Sequence, residues 1–189
     1  GCIYNATHDL TITDVTFNGN TASEMGGGIY NATPLSNDTS PTFTDVTFDG
    51  NTANNDTNAV QEPSSGGGGM YNRVAGSPIL TNVTFRNNAV GNEGRGGGML
   101  NIRSSPDLTD VAFSGNTAFK GDGGGMYNDT DSHPTLTNVT FSGNITDNGD
   151  GGGMYNRNGS TPNLNNVTFS GNTADNGGLG GGMGGGMYN

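Results

Sequence analysis

One cysteine in 189 residues, Cys2, leaves no partner for an internal disulfide, so the thiol is either free or linked to another chain. Tryptophan is absent, and only six residues are basic: Arg73, Arg86, Arg95, Arg103, Lys120 and Arg157. With a formal net charge of −11 at pH 7, the chain cannot build a surface that tracks phosphates, which excludes nucleic acid as a partner. Long hydrophobic runs are also missing. None approaches the ~20 residues that cross a bilayer, so no membrane-spanning helix is expected. Hydrophobic residues make up only 29% of the chain, a poverty that elsewhere accompanies disorder. Any core must therefore be thin and repeated.

A repeat is present. Gly-Gly, then Met or Ile, Tyr-Asn, a variable stretch and Leu-x-x-Val-Thr-Phe-x-Gly-Asn recur six times with variations. The Tyr position recurs at Tyr4, Tyr30, Tyr71, Leu100, Tyr127, Tyr155 and Tyr188; the Phe position recurs at Phe17, Phe48, Phe85, Phe113, Phe141 and Phe169. Insertions fall between these fixed phrases, as loops do on a solenoid. The longest, over 54–65, is polar and reads as an exposed excursion from a single domain spanning 1–189.

Apolar and polar residues alternate in Val-Thr-Phe, the signature of a strand with one buried face. Val and Phe point inward and Thr outward. A further apolar column, Ile12, Phe43, Leu80, Leu108, Leu136 and Leu164, lies three residues before the Val and implies a bend between two short strands. The Gly-Gly-Met-Tyr-Asn phrase supplies a third strand; periodicity does not settle whether Met or Tyr faces in, and the favoured arrangement has Met and Ile inward and Tyr stacking outside with a wet hydroxyl. Three short strands per turn, each pairing with its copy one turn on, make an all-β fold: a right-handed parallel β-helix of about six turns. Two asparagine columns fit the corners. One follows the Tyr (Asn5, Asn31, Asn72, Asn101, Asn128, Asn156, Asn189) and the other lies three residues after the Phe (Asn20, Asn51, Asn88, Asn116, Asn144, Asn172). Asparagine tolerates left-handed backbone, and stacked amides bond along a solenoid. The glycine runs before each Met predict tight corners and close approach of successive turns.

The Phe-x-x-Asn pattern (FNGN, FDGN, FRNN, FSGN), paired with Gly-Gly-x-Ile/Met, resembles the repeats of the chlamydial polymorphic outer-membrane proteins and related β-helix proteins of bacterial surfaces. That resemblance implies a secreted β-helix passenger, often adhesive or self-associating. The chain departs from the family in usually carrying Gly rather than Ala after Gly-Gly. It also shows no membrane barrel domain, which leaves its mode of attachment open.

Chemistry-bearing residues are sparse. Polysaccharide lyases share the β-helix fold, but a lyase needs clustered acids beside a positioned base, and His8 and His133 fall in loops several turns apart. The expectation is no enzyme activity. Asp122, Asp147 and Asp150 sit in oxygen-rich, glycine-rich loops and are calcium candidates, although their spacing matches no EF-hand and solvated turn residues are the default reading. No other cofactor is expected. The Gly-x-Gly-x-x-Gly matches arise from glycine abundance and lack the strand–helix context of a nucleotide site. An outward Thr column is also known from ice-binding solenoids, but those carry paired Thr ranks. Of ten Asn-x-Ser/Thr sequons, Asn5, Asn31, Asn128 and Asn144 fall in the corner columns; Asn37, Asn55, Asn82, Asn138, Asn158 and Asn166 are the glycosylation candidates.

The chain opens with Gly1, Cys2, Ile3, Tyr4, Asn5 and closes with Met187, Tyr188, Asn189, the same strand phrase at both ends without a divergent capping turn. Unpaired strand edges invite further strands. The expectation is an extracellular or cell-surface structural protein whose partner is itself, stacking head-to-tail into a filament with roughly 29 Å added per subunit at ~4.8 Å per strand. Cys2, at such a joint, is expected to be buried as a small apolar residue. The alternative is a passenger that binds a host surface or glycans through its loops, with a lyase-like enzyme third.

Overall fold

The computed structural model describes residues 1–6, 9–32, 40–54, 65–74, 77–175 and 182–189. The chain winds into an all-β parallel solenoid, and three sheets run along it. Among the described residues the first sheet has seven strands, Ile3–Asn5, Ile29–Ala32, Met70–Arg73, Met99–Ile102, Met126–Asp129, Met154–Asn156 and Met187–Tyr188, stacked in chain order. Each pairs in parallel with its copy, as in Met126↔Met154 and Tyr127↔Tyr155. The final register falls on Met187, not Met183.

The second sheet gathers both segments around the predicted bend. They are separate strands in the early turns, such as Thr42–Thr44 and Thr47–Asp49, and become single strands in Thr135–Ser142 and Asn163–Ser170. A left-handed residue makes the bend in every turn: Asp14, Asp45, Asn82, Asp110, Asn138 and Asn166, with φ between 54° and 56°. Short Asp and Asn side chains tolerate that conformation best.

The third sheet is formed by a segment that periodicity does not single out. Thr21–Ala22, Thr52–Ala53, Ala89–Val90, Thr117–Phe119, Ile145–Asp147 and Thr173–Asp175 give it six strands, hence five complete steps. Two or three residues are too short to show alternation. Their inward residues, Ala53, Val90 and Ala118, form a small core of their own.

Inside the coil the Met, Leu, Val and Phe columns make one continuous core. The Phe rings stack from Phe17 to Phe169 with centroids 4.7–4.9 Å apart and nearly parallel planes. The strand spacing imposes this geometry, since one ring per rung must repeat at the hydrogen-bonding distance of the sheet. Burial depends on having a neighbour on both sides: Val15, on an outer rung, is 38% exposed while its copy Val46 is 1% exposed.

The three-glycine runs are explained by what surrounds them. Gly123 has a φ of 68°; a Cβ on Gly124 would meet the Ile145 carbonyl at 2.5 Å, and one on Gly125 would meet the Phe141 ring at 2.9 Å. The first glycine turns the chain. The second lies against the third sheet, and the third lies against the Phe column.

Candidate functional site

Successive rungs are joined through side chains at the corners. In the column after the Phe, the inner asparagines Asn51, Asn88, Asn116 and Asn144 are bonded on both sides. Asn116 Nδ2 donates to Asn144 Oδ1 (2.9 Å) and to the Phe85 carbonyl (2.9 Å), while its Oδ1 accepts from the backbone N–H and the Nδ2 of Asn88 (both 3.0 Å). Two donors and two lone pairs are the full capacity of a primary amide. The pattern repeats through Asn51, Asn88 and Asn144. The left-handed residue of this corner is one position earlier, at Gly19, Gly50, Asn87, Gly115, Gly143 and Gly171, so these asparagines staple the corner without themselves making the tight turn.

The column after the Tyr is a plainer chain, Asn31→Asn72→Asn101→Asn128→Asn156, with Nδ2 to Oδ1 distances of 2.8–2.9 Å. Asn5 joins it through Asn31 at 3.3 Å. A third, exposed column runs along the bend, where Asn82 Nδ2 donates to Asp45 (2.6 Å), Asn138 to Asp110 (3.0 Å) and Asn166 to Asn138 (2.8 Å). The Asp-or-Asn identity before each Val-Thr-Phe was the available signal for this column.

The outer face of the first sheet carries the tyrosines. They stack as expected, with Tyr30–Tyr71 at 5.0 Å and Tyr127–Tyr155 at 5.1 Å. Two of the six depart from the expected wet position: Tyr71 and Tyr127 are fully buried, with Leu100, in a second apolar cluster against which Met25 and Ile102 pack, while Tyr4 is exposed and Tyr30, Tyr155 and Tyr188 are partly so. The Arg95 guanidinium lies 5.4 Å from the Tyr127 ring centroid, and Arg157 donates to the Tyr127 hydroxyl at 3.4 Å. Burial pushes the Tyr127 phenol up to about 12. The hydrogen bond to Tyr127 in turn raises Arg157 above its ordinary value.

Several acids serve this rung-to-rung bonding. Asp122 Oδ1 accepts from the Asp150 backbone N–H (2.9 Å), and Asp150 Oδ1 accepts from that of Met183 (2.7 Å). Asp147 lies apart, in the third sheet beside Asp175. Among the described residues no group of three or more His, Cys, Asp or Glu side chains is placed to hold a metal ion. Asp129 accepts from Asn158 Nδ2 at 2.6 Å, and Asp49 accepts from Arg86 at 2.9 Å, a bond that holds the Asp49 carboxyl below its usual range.

Of the glycosylation candidates, Asn82, Asn138, Asn158 and Asn166 are exposed, each with its amide bonded as above; Asn37 and Asn55 lie outside the described residues. The sequons in the two asparagine columns, Asn5, Asn31 and Asn128 within first-sheet strands and Asn144 at the corner after the Phe, are buried. His8 and the interior of the 54–65 insertion also fall outside the described residues. His133 is an exposed rung element whose Nδ1 accepts from the Thr161 backbone N–H (3.2 Å).

On the outer strands, Gly1 donates to the Thr21 carbonyl, Ile3 is partly buried, and Asn5 is buried. Tyr4, Met187 and Asn189 are exposed and Tyr188 stacks on Tyr155 at 4.9 Å. Cys2 is a free, exposed thiol in the single chain, its backbone N–H bonded to the Gly28 carbonyl of the next turn at 3.1 Å.

Parallel registers, stacked rings and amide ladders define a β-solenoid repeat protein. Its residues 14–32, which contain Phe17, Asn20, the Gly26–Gly28 run and Tyr30, match the Chlamydia polymorphic membrane protein repeat. The chain is thus a β-helix repeat protein whose repeat resembles those of that family, and the match points to association with a bacterial cell surface or outer membrane. No curated protein and no solved structure matches the chain significantly. Among the described residues no helix is long and apolar enough to cross a membrane.

Proposed function

We propose that the chain is a structural element of a bacterial surface: a stiff β-solenoid rod that lengthens by stacking rung on rung, with a second copy of itself as the partner. Continuity of the ladders carries this reading. Amides, rings and backbone repeat in one register throughout, so that each rung is a template for the next. The strands Ile3–Asn5 and Met187–Tyr188 keep the parallel register of the strands they pair with, so the template holds from the first described strand of this sheet to the last. The role is mechanical rather than catalytic. Asp45, Asp49, Asp110, Asp122 and Asp129 are engaged in holding neighbouring turns together instead of facing a shared reaction centre.

Negative-stain imaging of the full chain over a concentration series tests the proposal. The expected result is rods whose lengths increase in steps of roughly 29 Å, six rungs at ~4.8 Å each. Discrete particles of one length at every concentration overturn self-stacking.

A further inference from the structure

The turns that leave the third-sheet strands Ala89–Val90, Thr117–Phe119 and Ile145–Asp147 flank a shallow, open cleft of about 400 Å³, lined by Glu93, Arg95, Lys120, Gly121, Asp122 and Asn148. Its size falls within the ~300–1,000 Å³ range of small-molecule sites. Arg95 and Asp122 also join neighbouring turns, whereas Lys120 extends over the ring of its own neighbour Phe119.

Three equivalent positions of consecutive turns hold left-handed residues at this cleft: Glu93 (φ 64°), Lys120 (φ 57°) and Asn148 (φ 66°). Asparagine is at ease there. Glu and Lys are not, and glycine would satisfy the same turn without strain. The same conformation recurs at Val74, Arg103 and Thr130 outside the cleft, so here it fixes where the side chains stand without by itself marking a site.

The charges are fixed and balanced. Arg95 Nε lies 3.9 Å from Asp122 Oδ2, the guanidinium rests against Tyr127, and the other Asp122 oxygen is bonded to the next turn. Two acids thus face two bases in a chain of net charge −11. An anion meets Glu93, Asp122 and the overall negative field; a cation meets Arg95 and Lys120; an apolar ligand offers the four charges no hydrogen bonds. A neutral polyol suits both signs, because each hydroxyl donates once and accepts twice. Beside the cleft is the apolar platform such a ligand also needs. Phe119 is 42% exposed with the Lys120 ammonium 5.6 Å from its ring centroid, and Ile145, also exposed, sits diagonally across the strand pair.

We propose that this cleft binds a neutral saccharide, its hydroxyls held by Glu93, Arg95, Lys120 and Asp122 and its C–H face laid on Phe119. The site lies on the flank of the solenoid, so it is independent of stacking at the outer rungs. The test is an array of neutral oligosaccharides ending in glucose, galactose, mannose or N-acetylglucosamine, beside sialylated and sulfated ones. It is probed with the full chain and with Lys120→Gly and Phe119→Thr. The expected result is retention on neutral glycans only, weakened roughly tenfold or more in each variant. Lys120→Gly relieves the left-handed strain and raises the thermal midpoint while it weakens binding, so misfolding cannot account for the loss. No neutral glycan retained, retention on anionic glycans alone, or undiminished binding in both variants overturns the site.

Discussion

The two buried asparagine columns use the same residue, once per turn, in the same solenoid, and yet do different work. After the Phe, each amide exhausts its capacity: Asn116 joins Asn88, Asn144 and the Phe85 carbonyl, and so ties side chains to the backbone of the corner. After the Tyr, Asn101 makes one donor and one acceptor bond, to Asn128 and from Asn72, along a ladder of side chains alone. The difference lies in the neighbouring backbone. The corner before the third sheet turns away from strand pairing and leaves N–H and carbonyl groups that must find partners inside the protein, whereas the Tyr-Asn strand already has its backbone paired in the first sheet.

Direct substitution should break the symmetry between the columns most strongly. Asn116→Ala strands four bonded partners in a dry corner and should cost about 3–5 kcal/mol, while Asn101→Ala strands two and should cost about 1–3 kcal/mol. Urea denaturation of the two variants measures the difference. Equal midpoints would mean that the extra bonds at the first corner contribute nothing net.

The Tyr face sharpens the contrast from another direction. Tyr127 has an ordinary value of 10.0 raised to about 12, chiefly by burial, so the folded chain holds the phenolic proton more tightly than the unfolded chain. Stability from this group is complete below pH 10 and declines as the pH rises through 12, by on the order of 2 kcal/mol. Unfolding in urea at pH 9 and pH 12 should show the loss, reduced in Tyr127→Phe and retained in Asn116→Ala. A pH-independent midpoint for the parent chain would count against a sealed tyrosine face.

The smallest effect belongs to the exposed bend column. Asn138 holds a φ of 56° and donates to Asp110 in water, so Asn138→Gly should change stability by less than about 0.5 kcal/mol and Asn138→Ala should destabilise by about 1 kcal/mol. If the two substitutions cost the same, the column serves through its hydrogen bonds rather than its backbone conformation.

Much of this was legible before folding was considered. A repeated phrase with Val, Phe, Leu and Met in constant offset is enough to demand a stack, because each apolar residue needs a copy above and below, and the Asn column after the Phe announces a corner. The column after the Tyr, expected at a corner as well, lies instead within the paired strands of the first sheet, as at Asn72 and Asn101. Other features could not be read in this way. Thr21–Ala22 and its copies are too short for periodicity, so the third sheet was invisible. The bend residues look like loop asparagines and aspartates until φ is known. Arg95 and Lys120 are 25 positions apart in the chain, and only the coil brings them with Glu93 and Asp122 to one cleft.

The amino-acid sequence by itself determined the solenoid, its inward columns and the corner asparagines after the Phe, since these follow from side-chain type repeated at one period. Tertiary structure alone decided which corner saturates its amides, how deeply the tyrosines are sealed and where opposite charges meet. Each of these depends on distances between turns that lie far apart along the chain and about one strand spacing apart in space.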